Sequence, residues 1–192
     1  MGTIETAHVS KAIGVRPRFL VVMGVSGTGK TTIATGLATR LGWHFQEGDA
    51  LHPQSNVDKM SSGQPLTDED RKPWLELCHD WLSREVKAGH GAVLTCSALK
   101  RIYREQLRRD LPVEFIHIRV ARDTLADRMT HRKGHFMPPS LLPSQLSTFE
   151  EPGDDEPVIH VCGEDHPDVV LEKLIQQFRD EENQKELHAA VG

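Results

Sequence analysis

A chain of 192 residues makes one domain of ordinary size, long enough to bury a core without disulfides or metals. Hydrophobic residues at 38% and charged residues at 27% exclude wholesale disorder. A net charge of −5 excludes a nucleic-acid binder that works by bulk electrostatics, and Cys78, Cys96 and Cys162 are too widely spaced for a disulfide framework or a CxxC pair.

That cysteine usage fits a reducing compartment, so a cytoplasmic location is expected. No apolar run approaches the length of a membrane span, so no membrane partner is expected either. Met1–Arg18 lacks the apolar core of a secretory signal and reads as a loose tail. Phe19–Gly24 is a continuous apolar run ending in glycine, as a buried parallel strand should be. Lys30–Leu41 carries Ile33, Ala34, Leu37, Ala38 and Leu41 on one helical stripe. Trp43–Gln46 reads as a weak second strand. Thr67–Asp70 has the pattern of a capping box, and Trp74, Cys78, Trp81 and Leu82 supply the apolar face of the helix it opens. Ala92–Cys96 is a third strand, Lys100–Arg109 a basic helix and Val113–Val120 a longer strand. Asp123–Arg132 is helical until Gly134 and three prolines break the pattern. The acidic stretch Glu150–Glu156 reads as a solvated loop. Val158–Val161 is the last strand and Asp168–Phe178 the closing helix, with a polar, frayed tail over 179–192. Five strand–helix alternations predict an α/β fold: a five-stranded parallel sheet with helices on both faces, in a single domain over 19–178.

Gly24-Val-Ser-Gly-Thr-Gly-Lys-Thr31 matches the phosphate-loop pattern G-x-x-x-x-G-K-[ST] between an apolar strand and an amphipathic helix. Glycines let backbone N–H groups curl around phosphate oxygens, and the helix that begins here turns its positive end to the same anion. Gly24, Ser26, Gly27, Thr28, Gly29, Lys30, Thr31 and Thr32 are therefore the expected nucleotide contacts. Lys30 is placed on the β- and γ-phosphates and the Thr31 hydroxyl on Mg²⁺. No Asn-Lys-x-Asp or Asp-x-x-Gly motif follows, which favours ATP over GTP. Ala92–Cys96 runs into Ser97 where motor ATPases carry an aspartate, while Glu47 and Asp49 follow the second strand. That arrangement suits a small-molecule kinase.

A kinase also needs a late-arriving cation. Arg128, Arg132, Lys133 and His135 precede the proline-rich break, and Arg128 and Arg132 share a helical face, so a mobile lid is expected over about 128–145. A solvated basic helix is the alternative. Ser97–Lys100 matches the S-x-x-K of penicillin-binding enzymes, but its companion motifs are missing. His131 and His135 have metal-ligand spacing, but Arg132 and Lys133 would repel the ion.

Longer runs carry a family likeness. Gly48-Asp49-Ala-Leu-His52-Pro53, then Asn56 to Trp74 through Lys59, Gly63, Pro65, Asp68, Asp70 and Arg71, resemble the gluconokinase family. So do Cys96-Ser97-Ala98-Leu99-Lys100 with Tyr103 and Arg104, and Arg132-Lys133-Gly134-His135-Phe136 followed by Leu141, Leu142, Ser144 and Gln145. The likeness spans about Phe19 to Phe178, nearly the whole chain. One departure is Glu47-Gly48-Asp49 where the family commonly shows Asp-Gly-Asp. The resemblance implies a P-loop kinase, related in fold to shikimate kinases, that moves the γ-phosphoryl group of ATP to the 6-hydroxyl of D-gluconate; it also implies a homodimer. A carboxylate calls for a cation, so Arg71, His52 and Lys59 are candidates, with Arg104 in reserve. Asp49, Ser97 and Gln145 suit the hydroxyls, and His135 joins them from the lid. Catalytic roles fall to Lys30, Asp49, Arg128 and Arg132. Each candidate has a plainer reading: Arg71 pairing with Asp68, Lys59 solvated, Asp49 capping the helix near Pro53. The rival functions are a kinase of another small acceptor, such as shikimate or a nucleoside monophosphate, and a non-catalytic nucleotide-binding module.

Overall fold

The computed structural model describes residues 14–131 and 137–191, with side chains as far as 189. The apolar run Phe19–Met23 forms β1, and its residues Leu20 to Met23 are wholly buried. Around it lie β2 (His44–Gln46), β3 (Ala92–Cys96), β4 (Val113–Arg119) and β5 (Val158–Cys162), all parallel, in the order β2-β3-β1-β4-β5. Val21 sits level with Leu94 on β3 and Phe115 on β4.

Because side chains alternate across a strand, β1 feeds two cores. Val21 and Met23 pack with Leu94, Cys96 and Phe115 under α3 (Asp68–Ala88) and α4 (Arg101–Arg108). Leu20 and Val22 pack with Val93, Ile116 and Ile118 under α1 (Lys30–Leu41) and α7 (Pro167–Val191). The expected sheet with helices on both faces is therefore present. Shorter helices α2 (Gln54–Ser61), α5 (Arg122–His131) and α6 (Leu142–Thr148) lie among the loops that leave the C-terminal ends of the strands. α3 opens with the expected capping box: the Asp70 N–H donates to the Thr67 hydroxyl and the Thr67 N–H to the Asp70 carboxylate.

Three expectations are corrected. The closing helix does not fray at Phe178 but continues to Val191. Arg18 holds it, pairing with Glu114 on β4 and Glu181 on α7 while its guanidinium lies 4.4 Å from the Phe178 ring centre. The chain before β1 is accordingly no loose tail from Val15 onward: Val15 is buried in the core, and Arg16 pairs with the buried Glu182. The acidic stretch 150–156 is only partly solvated, since Glu156 is taken into the fold by Arg104.

Candidate functional site

The phosphate loop joins β1 to α1 and holds its shape by hydrogen bonds to one carbonyl. Thr28 Oγ1 and Lys30 Nζ each donate to the Val25 carbonyl oxygen at 3.0 Å. Gly29 has φ +94°, which lets the chain turn straight into the helix. The first turn of α1 then meets the end of β2. Thr31 Oγ1 donates to Glu47 Oε2 at 2.7 Å, and the other Glu47 oxygen accepts the Thr95 hydroxyl.

After β2 the chain makes a 3-10 turn over Gly48–Leu51. A Cβ on Gly48 would stand 1.9 Å from the Thr95 carbonyl oxygen, so no other residue fits there. Its N–H donates to Thr95 Oγ1 at 3.0 Å and its carbonyl accepts Trp74 Nε1 at 2.8 Å. This pinned glycine sets the direction of Asp49. Asp49 lines a cleft with Arg71, His52, Ser97 and Gln145, and a second, adjoining cleft with Glu47, Thr31 and Arg128. Ser26 and Lys30 also border both. The N-cap of the helix that begins after this turn is Pro53, whose side chain makes no cap hydrogen bond.

Arg71 is 9% exposed, and among the described residues its buried Nε has no hydrogen-bond partner. Asp68, its plainer partner, is taken instead by Lys100 Nζ at 2.8 and 2.9 Å and by the Tyr103 hydroxyl. A buried cationic donor left without an acceptor is costly, and a ligand carboxylate is what would satisfy it. His52 stacks on Trp74 with ring centres 4.0 Å apart. Burial lowers its pKa to about 4 against the pull of Asp49, with Arg71 adding to the fall, so the ring is neutral at pH 7. It can exchange hydrogen bonds with a hydroxyl but does not supply a cation. Gln145 reaches back from α6 to the phosphate loop: its Oε1 accepts the Ser26 N–H at 2.8 Å, and its Nε2 lies 3.3 Å from Ser26 Oγ.

Two candidates do not reach the cleft. Lys59 is partly exposed and does not line the acceptor cleft; its Nζ sits 2.6 Å from Asp70 Oδ2, tying α2 to the cap of α3. Arg104 is 1% exposed and gives Nε and Nη2 to the Glu156 carboxylate and Nη1 to the carbonyls of Ala98 and Glu150. It braces the segment after β3 that carries Ser97. Arg128 is part of the loop region: Nη2 donates to the Gly163 carbonyl at 2.9 Å and Nη1 to that of Gly27 at 3.4 Å. Arg132, Lys133 and His135 lie outside the described residues.

Sequence reading passed over other wall residues. Met60, Leu66 and Leu141 form a small apolar cluster beside the acceptor cleft, with Met137 packed on it. Beyond Gly27, Ile118, Thr32, Ile33, Cys162, Gly163 and Val170 line a further hollow that opens at Arg128 and suits a nucleotide base. Thr32 apart, which the phosphate-loop pattern had already named, the only signal for these was position, since they lie at the ends of strands or in the segments that follow them.

Comparison with known proteins gives one answer. A family described as "AAA domain" matches residues 19–152. The gluconokinase of Gluconobacter oxydans (strain 621H) is 75% identical over 178 residues, covering 92% of this chain and 99% of the relative. Among solved structures, a sugar kinase from Janibacter sp. HTCC2649 superposes with a TM-score of 0.78 at 46% identity, over 83% of this chain and 93% of that one. A gluconokinase from Sinorhizobium meliloti 1021 also has a TM-score of 0.78, at 39% identity, over 91% of this chain and 98% of that one.

Proposed function

This chain belongs to the gluconokinase family, and from that premise we propose that Asp49, Arg71, Lys30 and Arg128 carry the transfer of the ATP γ-phosphoryl group to D-gluconate. The protein is a kinase, and it makes 6-phospho-D-gluconate and ADP. The observation that carries the residue assignment is that Asp49, Ser26 and Lys30 border both the acceptor cleft and the phosphate-loop cleft. An acceptor hydroxyl beside Asp49 therefore lies next to the γ-phosphate.

Gluconate enters with its carboxylate on the unpartnered Nε of Arg71. Neutral His52, Ser97 and Gln145 take its hydroxyls. Asp49 orients the 6-hydroxyl and accepts its proton as the new P–O bond forms and the bond from Pγ to the β-phosphate oxygen breaks. Lys30 leaves the Val25 carbonyl for the β- and γ-phosphates, and Arg128 meets the nucleotide from α5. Thr31 and Glu47 present two oxygens 2.7 Å apart, a hard donor pair that fits Mg²⁺. Held by Thr31 and Glu47, Mg²⁺ would supply charge neutralisation for the nucleotide phosphates. The transition state is loose, so positioning and charge neutralisation supply most of the rate.

Arg132 and His135, on a lid over about 128–145, close over the phosphates and exclude water, which would otherwise take the phosphoryl group. The kinase domain, taken as 15–191 on the buried Val15 and the closing helix that runs to Val191, acts in the cytoplasm as a homodimer without nucleic-acid or membrane partners. Among the described residues, no helix is long and apolar enough to cross a membrane. ADP release measured with gluconate, shikimate and nucleoside monophosphates tests the reading. Gluconate-dependent release supports it, release with another acceptor alone overturns the substrate, and none at all leaves a nucleotide-binding module.

A further inference from the structure

Away from the cleft, the described residues hold two groups of imidazole and carboxylate side chains: His117, Glu151 and His160, and His44, Glu85 and His90. In the first the carboxylate is already paired with Arg119, a cation that would compete with any metal ion. In the second, among the described residues, the Glu85 carboxylate meets only the two histidines.

The backbone builds this second group. His44 is the first residue of β2, and its N–H donates to the Gly91 carbonyl at 2.9 Å. α3 ends at Gly89 with φ +70°, so the chain reverses and the His90 N–H donates to the Glu85 carbonyl at 3.1 Å. All three residues are thus set by backbone hydrogen bonds rather than by chance proximity of surface side chains. Glu85 Oε2 lies 2.7 Å from His44 Nδ1 and 3.4 Å from His90 Nδ1. The three donor atoms fall within 4.8 Å of one another. Around a tetrahedral ion with bonds of about 2.0–2.1 Å, neighbouring donors stand about 3.3 Å apart, so small side-chain adjustments suffice. The side chains of Glu85, His90 and His44 are 15%, 26% and 40% exposed, which leaves a path for an ion and room for a water as fourth ligand.

We propose that His44, Glu85 and His90 form a structural site for a divalent transition-metal ion of the zinc class. Two imidazoles and one carboxylate are the donor set of such borderline ions, whereas Mg²⁺ prefers oxygen alone. Without metal, His44 Nδ1 donates its proton to the Glu85 carboxylate; on binding, that proton leaves to solvent, each neutral ring carries its remaining proton on Nε2, and the Nδ1 lone pairs turn to the metal. The site lies at the N-terminal edge of the sheet, where β2 and β3 begin, and the clefts lie at the opposite edge. The ion would tie the end of α3 to the starts of β2 and β3.

The test uses the full chain, stripped with a chelator and kept in excess Mg²⁺ so that the Thr31–Glu47 position is filled. Zn²⁺ is titrated by calorimetry, and Co²⁺ serves as a spectroscopic probe. One Zn²⁺ per chain is expected, displacing a tetrahedral Co²⁺ absorption. Glu85→Gln and His90→Asn should each weaken Zn²⁺ binding by at least about tenfold, with the gluconate kinase rate unchanged. Zn²⁺ should also raise the melting temperature of the parent chain but not of either variant. No Zn²⁺ binding, unaltered affinity in both variants, or loss of binding in His117→Asn instead would each overturn the proposal.

Discussion

The Thr31 hydroxyl donates to Glu47 Oε2 across 2.7 Å, joining the first turn of α1 to the end of β2. In the proposed mechanism Glu47 is the carboxylate on the metal side, two residues before the one assigned to the acceptor. Glu47→Gln keeps the shape and removes the charge. Its Mg²⁺ half-saturation should rise about 10–100-fold, and its rate should partly recover at high Mg²⁺. Rates measured across a Mg²⁺ titration check this; an unchanged half-saturation removes Glu47 from the metal site.

Asp49→Asn should behave differently, because Asp49 borders the acceptor cleft as well as the phosphate loop. As proton acceptor its loss should lower kcat about 10²–10⁴-fold. Asparagine still hydrogen-bonds, so the gluconate KM should move little. Raising Mg²⁺ should not restore the rate. Recovery at high Mg²⁺ would move Asp49 to the metal, and a normal kcat would deny it any catalytic part.

Arg71→Met replaces a buried guanidinium whose Nε has no partner. The loss of the carboxylate contact should cost on the order of 2–5 kcal/mol in gluconate kcat/KM while the ATP KM stays put. Since methionine removes an unsatisfied donor, the melting temperature of the ligand-free chain should hold or rise. A shift in the ATP KM, or a marked fall in melting temperature, would make Arg71 part of the nucleotide side or of the scaffold.

Lys59 serves the cap of α3. Its ammonium, with the Thr67 backbone helping, depresses the Asp70 pKa from 3.8 to about 2. A depressed carboxylate stabilises the fold above its unfolded pKa, and that stability is lost as pH falls through the folded value. Lys59→Met should therefore lose part of the stability seen above about pH 4, where Asp70 is charged in both states. Parent and variant should converge as pH falls towards 2. The pair is partly exposed, so the difference should be about 1 kcal/mol or less. Denaturation across pH, with the gluconate KM as control, checks this. A large rise in KM would return Lys59 to the substrate.

Arg104 and Glu156 form a pair whose side chains are 1% and 7% exposed. Glu156→Gln leaves the guanidinium buried without its counter-charge, which should cost about 3–5 kcal/mol. If Arg104 bound gluconate instead, KM would rise with little loss of stability. Urea denaturation together with gluconate kinetics separates the two.

Local pattern was enough for the sheet, the phosphate loop and the cap of α3, because each depends on neighbours in sequence. Phe19–Met23 is apolar throughout because both its faces are covered, and Thr67 finds Asp70 within one helical turn. Partnerships between distant residues were decided by the tertiary structure. Arg71, Lys59 and Arg104 are all basic residues in runs that resemble one family, and nothing local distinguishes them. Packing buries Arg104 against Glu156, 52 residues away, turns Lys59 to Asp70, and leaves Arg71 Nε unpaired in the cleft. The same holds for the length of α7, whose polar end stays helical because Arg18, far back in the chain, pairs with Glu181. A charged side chain goes to whatever opposite charge the fold places within reach, and only the assembled chain determines which charge that is.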